Sequence, residues 1–89
     1  MEINELRNEI DALDREIVKL LVSRMGVSAK VAEYKIKNSM PVLDKTREEA
    51  LLKKIADLSG DMSEYTVEIY LEILKQSRAY QDKLIGKDL

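Results

Sequence analysis

Four polar side chains fall on faces where a helical reading of the chain expects apolar ones, Arg24, Glu48, Ser77 and Gln81, and a fifth, Lys35, returns to the side of the first. Ile3, Ile10, Ile17, Arg24 and Val31 recur every seven residues, as do Leu6, Leu13, Leu20, Val27 and Tyr34. These are the a and d positions of one unbroken helical seam, and Arg24 is its only charge. Lys35 lies eleven residues further on, close to three turns, and so returns to the side of Arg24. Glu48, Leu51, Leu52 and Ile55 share one helix face, with Asp44 a turn earlier and Arg47 beside it. In the last third, Ser77 and Gln81 interrupt the stripe Val67, Tyr70, Leu74, Leu84. A guanidinium in an apolar seam is costly unless an anion meets it. Two cations, a carboxylate and an amide on converging inward faces suit a pocket for a small anion.

Each residue also has a plainer reading. Arg24 can fix helix register and pair with Glu48. Glu48 can serve the dipole of its helix start, and Asp44 with Arg47 can be a cap and a surface pair. Ser77 and Gln81 can be satisfied core polars, and Lys35 can lie on a solvated face. The pocket reading gains because every helix places its polar exceptions on its inward face. Arg7 adds a geometric constraint. It precedes Arg24 by seventeen residues, about 25 Å along one helix, too far for both to reach one small molecule. If Arg7 serves the same site, it must come from another subunit.

The chain has no histidine and no cysteine. Imidazole acid–base catalysis and thiolate metal sites are thereby excluded, and no metal is expected. Chemistry must rest on Arg, Lys, carboxylates and amides. A net charge of −2 with 36% charged residues argues against a general polyanion binder, so no nucleic-acid partner is expected. No apolar run reaches membrane-spanning length and the start lacks signal-peptide character, which sets a cytoplasmic, membrane-free expectation.

Eighty-nine residues make one domain, 1–89, with a core that is marginal alone. The pattern predicts an all-α fold of three helices. The first runs from about Ile3 to Lys37, followed by a connector that Pro41 ends. The second runs from about Asp44 to Leu58, started either by an Asp44 cap or by a Thr46/Glu49 capping box. Ser59-Gly60-Asp61 should break it, and the third should run from about Ser63 to Leu84 with Gly86 as a stop. A first helix of about 50 Å overhangs a compact globule about 30 Å across. That overhang predicts an intertwined homodimer with antiparallel long helices.

The motifs together resemble one family, the all-helical chorismate mutases. The resemblance rests on Leu6-Arg7-x-x-Ile10-Asp11-x-x-Asp14, Leu20-Leu21-x-x-Arg24, Lys35, Pro41-Val42-x-Asp44-x-x-Arg47-Glu48 and Ser77-x-x-x-Gln81. It implies rearrangement of chorismate to prephenate in phenylalanine and tyrosine biosynthesis, with no cofactor, nucleophile or proton transfer. By position, it implies that Arg24 and a partner's Arg7 clamp the two substrate carboxylates. Lys35 would touch a carboxylate and the ether oxygen, to which Gln81 would also donate. Glu48 would accept from the ring hydroxyl with help from the backbone at Asp44, Arg47 would orient that helix start, and Ser77 would hold a carboxylate. Little chain follows Gln81, which leaves no room for a fused catalytic or sensing domain: a free-standing enzyme or an excised mutase domain is expected. The rival readings are an isochorismate pyruvate lyase-like enzyme and a non-catalytic helical dimerisation or regulatory module.

Some members of the family carry Glu where this chain has Gln81, and Glu must be protonated to donate. An amide donates at any ordinary pH, and no side-chain type present has a reference pKa between about 5 and 8. A pH–rate profile should therefore show kcat/KM nearly flat over that window. A steep fall toward neutrality would contradict the donor role of Gln81.

Overall fold

The computed structural model describes residues 1–87 of the chain. Helix α1 spans Ile3–Lys37, α2 Lys45–Ser59 and α3 Ser63–Lys87, with a 3-10 turn at Gly60–Met62. No strand is present among the described residues.

Local chemistry accounts for most boundaries. At the start of α1, Glu2 accepts from the backbone of Asn4 while Glu5 reaches back to the Glu2 N–H, closing a capping box. At its end the Asn38 side chain donates to the Tyr34 carbonyl at 2.8 Å, and Pro41 follows. Asp44 caps α2, its Oδ1 accepting from the Arg47 N–H at 3.0 Å. Of the two starts that the sequence permits, the Asp44 cap is the one used.

The Ser59-Gly60-Asp61 break falls where the sequence puts it: α2 ends at Ser59, and a single 3-10 turn at Gly60–Met62 leads directly into α3. The expected count of three is corrected in one respect: with no coil residue between α2 and α3, the described residues form two helical runs, 3–37 and 45–87. The direction still reverses there, because Gly60 adopts φ 54° and ψ −127°, a conformation that L side chains rarely take. Gly86 does not stop α3, which continues to Lys87. A glycine ends a helix by entering the left-handed region, and Gly60 is the only described glycine with positive φ.

Contacts set the topology. α3 packs on both α1 and α2. Glu48 pairs with Arg78, so α2 folds back on α3 as a hairpin. Ser28 meets Ser77 and Lys35 meets Gln81, so α1 and α3 run parallel. All three polar junctions lie at one end of the molecule. The envelope measures 54 × 26 × 14 Å with a radius of gyration of 16.2 Å, against about 12 Å for a compact chain of this length.

The core is thin. Ala32 and Leu74 are the buried apolar residues, and no large side chain is fully enclosed. Every residue from Ile3 to Leu20 is exposed. The apolar seam of α1 therefore faces outward, with Leu13 63% and Leu20 66% accessible. A contiguous apolar stripe of this extent is uncommon on the surface of a monomeric soluble protein.

The Gly60 conformation yields the first structural prediction. Gly60→Ala should destabilise the fold by about 1–3 kcal/mol, the usual cost of a non-glycine residue in a glycine-only region. The midpoint of chemical denaturation measures it, and an unchanged midpoint would mean that the turn relaxes freely.

Candidate active site

A cavity of about 290 Å³ opens at the end of the molecule where the polar junctions lie. It falls at the low end of the range for small-molecule sites. α1 contributes Arg24, Ser28 and Lys35; the start of α2 contributes Asp44, Arg47 and Glu48; α3 contributes Ser77, Arg78 and Gln81. Val27, Val31, Val42, Leu51 and Leu74 fill the spaces between them. The polar groups are graded by depth. Ser28, Ser77 and Gln81 are buried, each 6% accessible. Arg24, Lys35, Glu48 and Arg78 are half-buried, while Asp44 and Arg47 stand exposed at the rim.

Lys35 is the junction of three segments. Its Nζ donates to the Val42 carbonyl at 2.6 Å and to Gln81 Oε1 at 3.3 Å. An ammonium has three N–H donors and no acceptor. One donor therefore remains uncommitted to the protein, and the amide of Gln81 must turn its oxygen toward Lys35. The Gln81 amide N–H groups have no acceptor among the described residues. Among the described residues no buried side-chain polar atom is left without a partner, so the Gln81 nitrogen opens onto the cavity. The result is two adjacent donors, one charged and one neutral.

Ser28 and Ser77 share a hydrogen bond of 2.8 Å between their buried hydroxyls. Two hydroxyls hold two hydrogens, and one such bond uses one of them. The other is free to donate.

The carboxylate of Glu48 is bound to the Arg78 guanidinium, not to Arg24. The plainer Arg24–Glu48 pairing is thus absent, and Arg24 has no acid partner among the described residues. Four cations against two carboxylates line the cavity, a surplus of two positive charges in a chain whose net charge is −2. No group of acidic side chains among the described residues is arranged to hold a metal ion, and no helix is long and apolar enough to cross a membrane.

The cavity brings together Arg24, Lys35, Asp44, Arg47, Glu48, Ser77 and Gln81. It does not include Arg7, which lies exposed in the second turn of α1, about 25 Å along the helix from Arg24. Two further lining residues were not singled out from sequence. Arg78 neighbours Ser77 and precedes Gln81 by three residues, so the helical spacing that marked those two also places it beside the stripe. Ser28 sits one turn after Arg24, but a serine in a helix reads as a neutral filler and carries no signal alone.

The Lys35 contacts predict a measurable effect that needs no ligand. Lys35→Met keeps the aliphatic stem and removes both bonds. It should cost about 1.5–3 kcal/mol of stability, as for hydrogen bonds to charged groups. Amide exchange in the connector, residues 38–43, should quicken. Unchanged exchange there would mean that Lys35 does not anchor the connector.

The family described as chorismate mutase type II matches residues 6–82. A bifunctional chorismate mutase/prephenate dehydratase of Buchnera aphidicola subsp. Acyrthosiphon pisum is 37% identical over 84 residues, covering 91% of this chain and 22% of the relative. A protein of the same description from Aquifex aeolicus is 33% identical over 89 residues, covering 93% and 25%. A chorismate mutase of Methanocaldococcus jannaschii is 25% identical over 87 residues, covering 94% and 88%. The chain spans about a quarter of the length of the bifunctional relatives that it matches. No solved structure matches it significantly.

Proposed function

The chain belongs to the chorismate mutase type II family, and from that membership we propose that it rearranges chorismate to prephenate. The reaction is a Claisen-type sigmatropic shift. One C–O bond breaks, one C–C bond forms, and no proton changes place. The protein must fold an extended dianion into a chair and stabilise the negative charge that builds on the ether oxygen.

The observation that carries this reading is the pair of uncommitted donors at Lys35 and Gln81 in a cavity with two surplus positive charges. A dianion neutralises that surplus. The unpaired Arg24 guanidinium suits bidentate capture of one carboxylate. Lys35 and Gln81 aim N–H donors at the ether oxygen, and such donors in a dry site are each worth about 3–4 kcal/mol of barrier. The hydroxyl of Ser77 holds a carboxylate, and Glu48 accepts from the ring hydroxyl. Asp44 and Arg47 set the rim.

Arg24 can fork onto only one of the two carboxylates, and for the other the resemblance points to Arg7 from a second copy. Support comes from the exposed seam of α1 and from the distance that keeps Arg7 out of its own chain's cavity. Two long helices packed antiparallel would cover the seam and carry each Arg7 to the other copy's site, making a symmetric pair.

Two experiments test the proposal. Loss of chorismate absorbance with prephenate as product should be seen for the wild type, while isochorismate should not be cleaved. Arg24→Ala should lower kcat/KM by about 3–4 kcal/mol in activation free energy. Arg7→Ala and Arg24→Ala should each be nearly inactive alone. Co-refolded in equal amounts, they should regain roughly a quarter of wild-type activity, because half the symmetric pairs are mixed and each mixed pair has one intact site. No recovery on mixing would place Arg7 outside the site.

A further inference from the structure

Glu48 poses an electrostatic problem for the proposed function. It is a half-buried carboxylate in a cavity that must admit two more negative charges. At the few-ångström separations of such a site, like charges repel strongly and are poorly screened. The residue cannot simply be apolar if a substrate hydroxyl needs an acceptor at that point. It needs a counter-charge that leaves one carboxylate oxygen available.

Arg78 meets both conditions. Its Nη1 binds Glu48 Oε1, and no hydrogen bond among the described residues engages Glu48 Oε2. The pair joins α2 to α3 across the cavity wall, with Arg78 32% and Glu48 22% accessible at their side chains. Contact through one oxygen restrains the carboxylate and offsets much of its charge. The other oxygen stays free to accept. The other charged groups of the cavity are placed differently: Asp44 is turned to the backbone of Arg47, and Lys35 to Val42 and Gln81. Neither Arg24 nor Arg47 forms an ion pair with Glu48.

We propose that Arg78 is a positioning residue that neutralises and orients Glu48, so that a carboxylate serves as hydroxyl acceptor in a site for a dianion. The inference rests on the mutase reading. It differs from a direct clamp, in which the Arg78 guanidinium would itself bind a substrate carboxylate, because its effect passes through the charge of Glu48. The two roles separate when that charge is removed. Glutamine at position 48 keeps an acceptor oxygen and needs no counter-charge.

A double-mutant cycle on the full chain tests it, with kcat and KM for chorismate measured for Arg78→Met, Glu48→Gln and the double variant. Arg78→Met should lower kcat/KM about 10- to 100-fold, the size of one charge-assisted hydrogen bond. Most of that loss should appear as a raised KM. In the Glu48→Gln background, the same Arg78→Met change should cost less than about threefold, a strong coupling between the two sites. Arg78→Lys, which keeps the charge, should hold KM close to wild type and remains informative if Arg78→Met fails to fold. Additive losses in the cycle, or a KM for Arg78→Lys raised as far as for Arg78→Met, would overturn the proposal in favour of a direct clamp or a merely structural bridge. Wild-type protein that leaves chorismate unchanged would sink the mutase reading and this inference with it. Wild-type turnover with an additive cycle would remove this inference alone.

Discussion

The position of one ammonium organises this end of the molecule. Lys35 projects from the last turns of α1 and donates both to the carbonyl of Val42 in the connector and to the amide oxygen of Gln81 on α3. A cation that donates to two acceptors at once constrains both of them. The connector is drawn against α1, which sets where Asp44 starts α2 and hence where Arg47 and Glu48 stand. The amide of Gln81 is turned so that its nitrogen faces away from Lys35. The depth grading of the cavity follows from this junction, since the α3 residues beside it are buried and the residues of the α2 start reach the rim.

The polar groups would be unstable in the same places if they stood singly. A buried hydroxyl or amide without a partner costs about 1–3 kcal/mol. Ser28 and Ser77 satisfy one another, Gln81 is satisfied on one side by Lys35, and Glu48 by Arg78. What remains open is mostly donors, namely an unpaired guanidinium at Arg24, a spare N–H on Lys35, an amide nitrogen and one seryl hydroxyl, beside a free acceptor, Oε2 of Glu48. The fold thus concentrates donors at one place in a chain that is acidic overall. The proposed chemistry asks for no more, because a rearrangement without proton transfer depends on shape and charge alone.

The other end of the molecule obeys a different constraint. No residue in the first half of α1 is buried within its own chain, although its seam is apolar over several turns. An isolated helix of that composition gains little from propensity; helices in proteins draw most of their stability from burying an apolar face. The proposed pairing with a second copy would supply that burial and place Arg7 where a second carboxylate has to be held. In that arrangement, folding and completion of the site depend on the same contact.

Much of this was legible in the residues. Heptad spacing located α1, and i, i+3, i+4 spacing identified the inward faces of α2 and α3, because side-chain direction in a helix follows directly from residue number. The cavity residues Arg24, Glu48, Ser77 and Gln81 stood out as polar members of those inward faces, and Lys35 by its three-turn spacing from Arg24. Asp44 was legible as a cap because only a few side chains accept backbone N–H groups at a helix start. Helix ends were less legible. Gly60 and Gly86 are the same residue type, yet one turns the chain and the other continues the helix. The difference lies in whether tertiary packing calls for a reversal at that point, which a local signal does not encode. The partner of Glu48 was likewise decided only in three dimensions. Arg24 and Arg78 are both arginines within reach of an inward face, and which of them meets Glu48 depends on how α2 folds back on α3. Periodicity by itself determined which faces turn inward and which polar side chains those faces carry. The tertiary structure alone decided which of those side chains pair with each other and which are left open to a ligand, because hydrogen bonds and ion pairs act over a few ångströms and depend on the positions of all three helices at once.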